Sequence, residues 1–254
     1  MPIDLDLLMR AYASGIFPMS DARDDPDTFW IEPERRAILP LEGFKLSRSL
    51  AKTIRQNRFR VTADAAFARV IATCAEERDN RRETWINPEI EDAFCTLHRL
   101  GHAHSVECWL GDDLVGGLYG LAMGRAFFGE SMFSRATDAS KVALAWLVAR
   151  MKIGGFVLLD CQFMTEHLAS LGAVEISQKA YLVLLEAALG RDLQASVVAS
   201  SASLAGATGG VGVGDWGALD GFLTAGSAAS PDDFSSTASS SPGKLILQAL
   251  TQTS

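Results

Sequence analysis

The stretch Phe128-Gly129-Glu130-Ser131-Met132-Phe133-Ser134-Arg135 is a strand-like run that carries one acid among apolar residues. A helical pattern follows over residues 138–152, and the buried-type run Phe156-Val157-Leu158-Leu159 then leads into Asp160-Cys161-Gln162. Side chains at positions i and i+2 of a strand end point to the same face. We therefore expect Asp160 and Gln162 to meet Glu130 at one pocket, which is the candidate reaction centre.

The pattern around this stretch predicts a three-stranded antiparallel unit over 105–110, 114–123 and 125–133. Turn residues separate the strands at Gly111-Asp112-Asp113 and Met123-Gly124. Predicted helices cover 3–14, 46–57, 65–77, 88–100, 138–152, 165–171 and 178–190, and further extended segments cover 30–39, 59–62, 156–161 and 174–176. Antiparallel strands followed by strand, helix and strand indicate an α+β protein with a mixed central sheet.

The composition is that of a soluble protein, with 254 residues, 48% apolar and 21% charged. No apolar run approaches 18 residues, and the chain does not begin with a basic lead and an apolar stretch, so we expect a cytoplasmic protein without a membrane span or signal peptide. Cys74, Cys95, Cys108 and Cys161 are scattered, which predicts reduced thiols.

The charge is unevenly distributed. The chain carries a net charge of −8, but the segment 35–82 carries twelve Arg or Lys and five acids. Such a positive segment can bind phosphates that the average surface would repel, and Arg48, Lys52, Arg55 and Arg58 are the candidates for RNA contact. The alternative is an ordinary solvated helix face.

The C-terminal part, 191–254, differs in composition from the rest. Over 195–242, 29 of 48 residues are Ser, Ala or Gly. Such a segment buries too little apolar surface to offset the entropy that is lost when the chain is ordered. We predict a flexible tail, with one docked stretch at 244–250.

Several common kinds of site are disfavoured. His98, His102 and His104 cluster, but they form no HExxH motif and have no Cys partner at ligand spacing, so we expect hydrogen bonds from His102 and His104 to backbone and no metal site. The chain contains no GxSxG or GxxxxGK[ST] motif.

A site built from Asp, Gln and Glu suits direct attack by a substrate amine on an activated acyl group. That chemistry needs an acceptor to orient the amine, a polar relay for its proton, and donors for the developing oxyanion. It forms no covalent intermediate with the protein.

Several motifs then resemble the leucyl/phenylalanyl-tRNA–protein transferase family. The similarity runs in order from about Ala11 to Leu189. The motifs that carry it are Gly15-Ile16-Phe17-Pro18, Leu100-Gly101-His102-Ala103-His104-Ser105-Val106-Glu107, Leu114-Val115-Gly116-Gly117-Leu118-Tyr119-Gly120, Gly129-Glu130-Ser131-Met132-Phe133-Ser134-Arg135, Ala139-Ser140-Lys141, Asp160-Cys161-Gln162 and His167-Leu168-Ala169-Ser170-Leu171-Gly172-Ala173.

The resemblance implies an activity and an architecture. The family moves Leu or Phe, and Met less well, from aminoacyl-tRNA to the α-amine of proteins that begin with Arg or Lys, marking them for N-end rule degradation. Its catalytic part is GNAT-like, which we place at 41–190 after a small N-terminal domain at 1–40. The resemblance implies no cofactor, no metal and no membrane partner, and we expect a monomer.

It also implies roles for the polar residues. Asp160 would polarise Gln162, Gln162 would draw on the attacking amine, and Glu130 would position the acceptor or the aminoacyl amine. The positive segment would bind phosphates of the tRNA acceptor stem.

Four further residues would bind the donor. By resemblance, Trp30 and Trp85 would stack on the terminal adenosine, and Leu118 and Phe127 would line the pocket for the Leu or Phe side chain. Ile31 departs from the pattern, because many members have a second Trp there.

Two alternatives stay open. An acetyl-CoA-dependent GNAT acyltransferase would need a glycine-rich pyrophosphate loop, whereas residues 135–140 contain no glycine. A non-catalytic RNA-binding module would leave Glu130, Asp160 and Gln162 unexplained.

Overall fold

The structure is a computed structural model that describes residues 2–76, 84–190, 213–227 and 241–252. The chain begins with helix α1 (Leu5–Tyr12), which Asp4 caps by accepting from the Leu7 amide. Strands β1 (Phe17–Met19) and β2 (Phe29–Ile31) then form a small antiparallel sheet in which Pro18 lies opposite Trp30. The N-terminal residues therefore fold as one helix and one hairpin-like sheet.

The following elements build the main body. In chain order they are β3 (Arg35–Ile38), α2 (Arg48–Arg55), β4 (Arg60–Ala63), α3 (Phe67–Cys74), α4 (Pro88–Arg99), β5 (Ala103–Leu110), β6 (Asp113–Met123), β7 (Ala126–Ser134), α5 (Ala139–Ile153), β8 (Leu158–Asp160), α6 (Glu166–Ser170), β9 (Val174–Ser177) and α7 (Gln178–Ala188). The predicted helix at 88–100 and the predicted three-stranded unit are confirmed, because Asn87 and Pro88 start α4 and tight turns join β5, β6 and β7.

Seven strands form one mixed sheet in the order β4-β5-β6-β7-β8-β3-β9. Only β7 and β8 pair in parallel, and every other neighbouring pair is antiparallel. The predicted α+β class with a mixed central sheet is confirmed. The insertion of β3 between β8 and β9 was not predicted, because short-range periodicity carries no information about this long-range pairing.

Helices cover both faces of the sheet, and each face has its own apolar core. Helices α1, α3, α4 and α7 contribute buried side chains to one core, and α2 and α5 contribute to the other. Strand β6 shows the alternation of side chains, because Leu118 belongs to the second core and Tyr119 to the first. Helix α5 is buried on nearly all sides, with 12 of its 15 residues buried.

A gap opens in the sheet where β7 and β8 separate. Their pairing ends at Phe128 and Asp160, although β7 continues to Ser134. Strand β7 is also irregular opposite Tyr119 and Gly120, and a Cβ at Gly120 would lie 2.2 Å from the Phe128 carbonyl oxygen. The second half of β7 therefore lacks a neighbour on one side, and this gap positions the candidate site.

The C-terminal segment requires a correction. Helices α8 (Ala218–Ser227) and α9 (Pro242–Thr251) pack against α5, with Leu219, Ile246 and Ala249 in the second core. The prediction of a docked stretch at 244–250 is confirmed by α9, but the prediction of a flexible tail is wrong for 213–227, where apolar residues within the Ser/Ala/Gly-rich stretch are spaced for α8. Residues 191–212, 228–240 and 253–254 lie outside the described residues.

No helix in the described part of the chain is long and apolar enough to cross a membrane.

Candidate active site

A cavity of about 300 Å³ occupies the gap between β7 and the segment that follows β8. Most of its walls are apolar, and a few polar side chains enter from the two separating strands. The lining residues are Phe17, Met19, Trp85, Leu118, Tyr119, Gly129, Glu130, Ser131, Met132, Leu144, Leu147, Leu159, Cys161, Gln162, Phe163, Thr165, His167 and Leu168. A concave apolar site with a few convergent polar groups is typical of small-ligand binding.

Glu130 supplies the carboxyl group of the cavity. It lies in the unpaired half of β7, directly after the last residues that face β8. The pKa of Glu130 is raised to about 8, mainly by burial and further by the nearby Asp160 carboxylate, while a hydrogen bond with the Tyr12 hydroxyl and the charge of Arg36 partly offset these effects. Glu130 therefore titrates near neutral pH, as a group that receives or supplies a proton should.

Gln162 supplies an amide to the same cavity from a strained backbone position. Its φ of 53° lies in the left-handed region, where a residue other than glycine costs energy. The expectation that Asp160 and Gln162 share a face is wrong, because β8 ends at Asp160 and the chain turns at Gln162.

The hydrogen bonds of the Gln162 amide depend on which of its two terminal atoms is the nitrogen. In one orientation, Nε2 donates to Glu130 Oε1 at 3.3 Å. In the other, Nε2 donates to the carbonyl oxygens of Gly129 at 2.7 Å and Cys161 at 3.2 Å. The second satisfies two carbonyls that would otherwise face the amide oxygen, so it is the stable orientation. The amide oxygen then faces Glu130, whose protonated form donates to it.

Asp160 lies behind the cavity and is not among its lining residues. Its side chain is fully buried. The carboxylate accepts hydrogen bonds from Arg36, from the Tyr181 hydroxyl at 2.9 Å and from the backbone N–H of Gln162 at 2.9 Å. Asp160 thus contacts Gln162 through the main chain and not through the side-chain amide.

Arg36 is a residue of this site that sequence reasoning missed. The sequence analysis counted it within the positive segment 35–82, but it is 1% exposed and pairs with Asp160 at 2.6 Å. A buried carboxylate needs a cation or several donors, so a buried-type strand ending in Asp160 was a signal to search for one. An arginine at the start of the apolar run Ala37-Ile38-Leu39 was the available candidate.

Two of the four predicted donor-binding residues line the cavity, namely Trp85 and Leu118. Trp30 does not, because it lies opposite Pro18 and therefore on the other face of the small sheet from the lining residues Phe17 and Met19.

Phe127 also lies elsewhere. It is fully buried in the second core and stacks on Trp216 with a centroid distance of 5.4 Å. Phe127 is not among the residues that line the cavity.

The predicted RNA-contact residues are exposed. Arg48, Lys52 and Arg55 are spaced by four and three residues on α2, and Leu50 and Ile54 bury the opposite side of this helix. Arg58 follows the helix and is also exposed. None of these four forms an ion pair with a residue in the described ranges. Residues 77–82 of the positive segment lie outside the described residues.

The hydrogen-bond partners of the histidine side chains differ from the predicted ones. His104 Nδ1 pairs with Asp64 Oδ2 at 2.8 Å, His98 Nδ1 contacts the Ala103 carbonyl oxygen at 2.8 Å, and His102 is exposed. Within the described ranges, no three His, Cys, Asp or Glu side chains are arranged to hold a metal ion.

Models of two protein families match the chain. The class is that of the tRNA–protein transferases, since both matching models carry this name. Residues 38–186 match the leucyl/phenylalanyl-tRNA protein transferase model and residues 1–34 match the N-terminal domain of the same enzyme. The chain belongs to the leucyl/phenylalanyl-tRNA–protein transferase family.

Curated relatives agree over almost the whole chain. A leucyl/phenylalanyl-tRNA–protein transferase of Rhizorhabdus wittichii is 57% identical over 99% of both chains. The enzyme of that name from Novosphingobium aromaticivorans is 54% identical over 98% of this chain and 96% of the relative.

Among solved structures, the L-PGS of Bacillus licheniformis matches with a TM-score of 0.37 and 14% identity, over 65% of this chain and 55% of that chain. A likeness of this size carries no inference about function.

Proposed function

We propose that this protein transfers Leu or Phe, and Met less well, from aminoacyl-tRNA to the α-amine of proteins that begin with Arg or Lys. Family membership supports the activity. The observation that supports the mechanism is that Glu130 and the Gln162 amide oxygen face each other at the wall of an apolar cavity.

The cavity favours attack by the substrate amine over attack by a protein nucleophile. Cys161 lines the cavity, but burial raises the pKa of its thiol, so the nucleophilic thiolate is not formed near neutral pH. Ser131 also lines the cavity, and the structure gives no hydrogen bond between it and a His within the described ranges. A serine without a base is a weak nucleophile.

The proposed reaction has one attack and one bond cleavage. The acceptor amine attacks the ester carbonyl carbon, which forms the C–N bond of the new peptide. The C–O bond to the terminal ribose then breaks, and the proton lost by the amine passes to the ribose oxygen. The ionised form of Glu130 takes up the amine proton and delivers it to the ribose oxygen, and the Gln162 amide oxygen accepts a hydrogen bond from the attacking amine. Asp160 accepts from the backbone N–H of Gln162 and so holds that residue in place.

The cavity walls suit the proposed donor. Leu118, Leu144 and Leu147 form an apolar pocket for the Leu or Phe side chain, and such a pocket selects mainly by volume. Trp85 and Met19 lie at the same cavity, where we place the terminal adenosine, with Trp85 as the stacking residue. The positive side of α2 would bind phosphates of the acceptor stem.

The finer architecture is also part of this proposal. We assign the seven-stranded sheet and its helices as a GNAT-like acyltransferase domain. The boundary at residue 40 was a prediction, and we refine it, because β3 (Arg35–Ile38) pairs with β8 and β9. The N-terminal unit would then end near residue 34, where its family model ends.

A Gln162→Ala variant separates the enzyme from a simple RNA-binding module. We expect it to retain tRNA in a filter-binding assay while transfer of labelled Leu to a peptide with N-terminal Arg falls at least 100-fold, on the order expected for a lost transition-state contact. Gln248→Ala, the same change at an exposed residue on α9 that does not line the cavity, is the matched control. Equal transfer by Gln162→Ala and Gln248→Ala would contradict the assigned role.

A further inference from the structure

Arg36, Asp160 and Tyr181 form a buried cluster that joins three separate parts of the chain. The three side chains lie on β3, β8 and α7, and each is at most 1% exposed. Arg36 Nε donates to both carboxylate oxygens of Asp160, at 2.9 and 3.1 Å, and Arg36 Nη2 donates to Oδ2 at 2.6 Å. The Tyr181 hydroxyl donates to Oδ2 at 2.9 Å. Such charge-assisted, forked hydrogen bonds fix geometry closely.

The acceptor sites of Asp160 are fully used by these donors. Oδ2 receives Arg36 and Tyr181, and Oδ1 receives Arg36 and the backbone N–H of Gln162. With these donors in place, the carboxylate keeps no acceptor site for a substrate group. Asp160 therefore acts on the cavity through the backbone position of Gln162 and not as an acceptor of the substrate proton.

The same arginine also holds the N-terminal wall of the cavity. Arg36 Nη1 donates to the Gly15 carbonyl oxygen at 3.0 Å, and the guanidinium lies 4.6 Å from the centre of the Phe17 ring. Phe17 contacts Phe163 edge to face with a centroid distance of 5.6 Å, and both rings line the cavity.

The backbone of β3 completes the link to the relay. The Ala37 N–H donates to the Gln162 carbonyl oxygen at 2.9 Å, and the Cys161 N–H donates to the Ala37 carbonyl oxygen at 2.9 Å. Hydrogen bonds with β3 and with Asp160 thus hold the backbone at and before the strained Gln162.

We propose that Arg36 and Tyr181 are positioning residues for the transfer reaction, which together hold Asp160 so that the Gln162 amide stays at positive φ facing the attacking amine. This inference rests on the proposed function. Arg36 and Tyr181 do not line the cavity, so their loss changes the rate of the chemical step and leaves tRNA binding unchanged.

The test uses two conservative variants and one matched control. Arg36→Lys keeps the positive charge but loses the forked hydrogen bonds to Asp160, and Tyr181→Phe removes only one hydroxyl. Arg35→Lys is the control, because Arg35 is the preceding residue on the same strand, is exposed, and pairs with Glu175 away from the cavity. Steady-state transfer of labelled Leu gives kcat and KM for leucyl-tRNA, and circular dichroism shows that each variant is folded.

We expect kcat to fall on the order of 100-fold in Arg36→Lys and roughly tenfold in Tyr181→Phe, with KM for leucyl-tRNA within about twofold of wild type. Arg35→Lys should behave as wild type. If Arg36→Lys does not fold, Tyr181→Phe alone decides.

A wild-type kcat in the folded variants, or a loss seen only in KM, would overturn the proposal. Absence of transfer by the wild-type protein would instead refute the proposed function, so the two failures are distinguishable.

Discussion

Glu130 and Asp160 are two carboxyl groups on neighbouring strands with opposite surroundings. Asp160 is enclosed by an arginine, a tyrosine hydroxyl and a backbone N–H. Glu130 faces an apolar cavity, and within the described ranges it forms no salt bridge. Paired carboxyl groups in such different surroundings take different roles. At this site one group holds structure, and the other changes its protonation near neutral pH.

The raised pKa of Glu130 predicts how stability depends on pH. The pKa is about 8 in the folded protein, against an ordinary value of 4.5. Between these values the folded state keeps a proton that the unfolded state has lost. Stability is therefore highest at low pH within this window and falls as the pH rises through it.

Glu130→Gln removes this titration. We expect the free energy of unfolding of the wild-type protein to fall by about 2–4 kcal/mol more than that of Glu130→Gln between pH 5 and pH 8.5. Urea denaturation at both pH values measures this difference, with Glu34→Gln, at an exposed residue, as the control. If the free energies of unfolding of wild type and Glu130→Gln change equally with pH, the pKa of Glu130 is not raised in the folded protein.

At the residue scale the sequence identified the polar groups but not their geometry. Glu130 and Gln162 could be predicted because polar side chains within apolar strand runs are uncommon. Their arrangement could not, because it depends on the positive φ of Gln162 and on where β8 ends. Arg36 was missed since its burial depends on the pairing of β3 with β8 and β9.

Among the elements, helix α2 has an apolar inner side and a positively charged outer side. Its inner side packs Leu50 and Ile54 into the second core. Its outer side presents Arg48, Lys52 and Arg55 to solvent. Exposed cations without anionic partners keep their charge available for phosphate.

Reversal of the three α2 charges to Glu should raise KM for leucyl-tRNA and flatten its salt dependence. Each lost phosphate contact removes about 0.7–0.9 from the slope of log affinity against log salt. The control reverses Arg10, Arg99 and Lys179, which are exposed on other helices and change the net charge equally. If both triple variants show the same slope, only total charge matters and α2 is not the contact surface.

The elements that local sequence patterns determine could be predicted, whereas those that depend on contacts between distant residues could not. The turns between β5, β6 and β7 and the capped start of α4 are local, and they could be predicted. The gap between β7 and β8 could not, because it follows from a pairing that stops after Phe128 and Asp160. Helix α8 was also not predicted, since its stability comes from packing on α5 and not from composition, whereas α9 was predicted in part as the docked stretch 244–250.

For the molecule as a whole, the C-terminal helices complete the second core. Arg150 on α5 is 3% exposed and donates to Asp220 on α8 at 2.7 and 2.8 Å. Gly243 at the start of α9 donates to Asn57 Oδ1 at 2.8 Å. A Cβ at Gly243 would lie 2.0 Å from the Ile54 carbonyl oxygen, so α9 approaches α2 as closely as a glycine allows.

Gly243→Ala should therefore destabilise the protein by about 1–3 kcal/mol through overpacking against backbone. Urea denaturation measures this loss. Gly221→Ala on α8 is the control, because a Cβ there meets nothing within 4 Å, and alanine there should stabilise by up to about 1 kcal/mol. A Gly243→Ala variant as stable as wild type would show that α9 does not dock on α2 in this way.

The central claim is that a substrate amine attacks the ester of an aminoacyl-tRNA in the cavity between Glu130 and Gln162. The most direct measurement follows labelled Leu from charged tRNA to a peptide with N-terminal Arg, beside a peptide with N-terminal Ala and without coenzyme A. We predict that the Arg peptide is labelled, that the Ala peptide is not, and that no label stays on the protein after denaturation. A stable acyl adduct on a protein side chain, or transfer that needs coenzyme A, would contradict the claim.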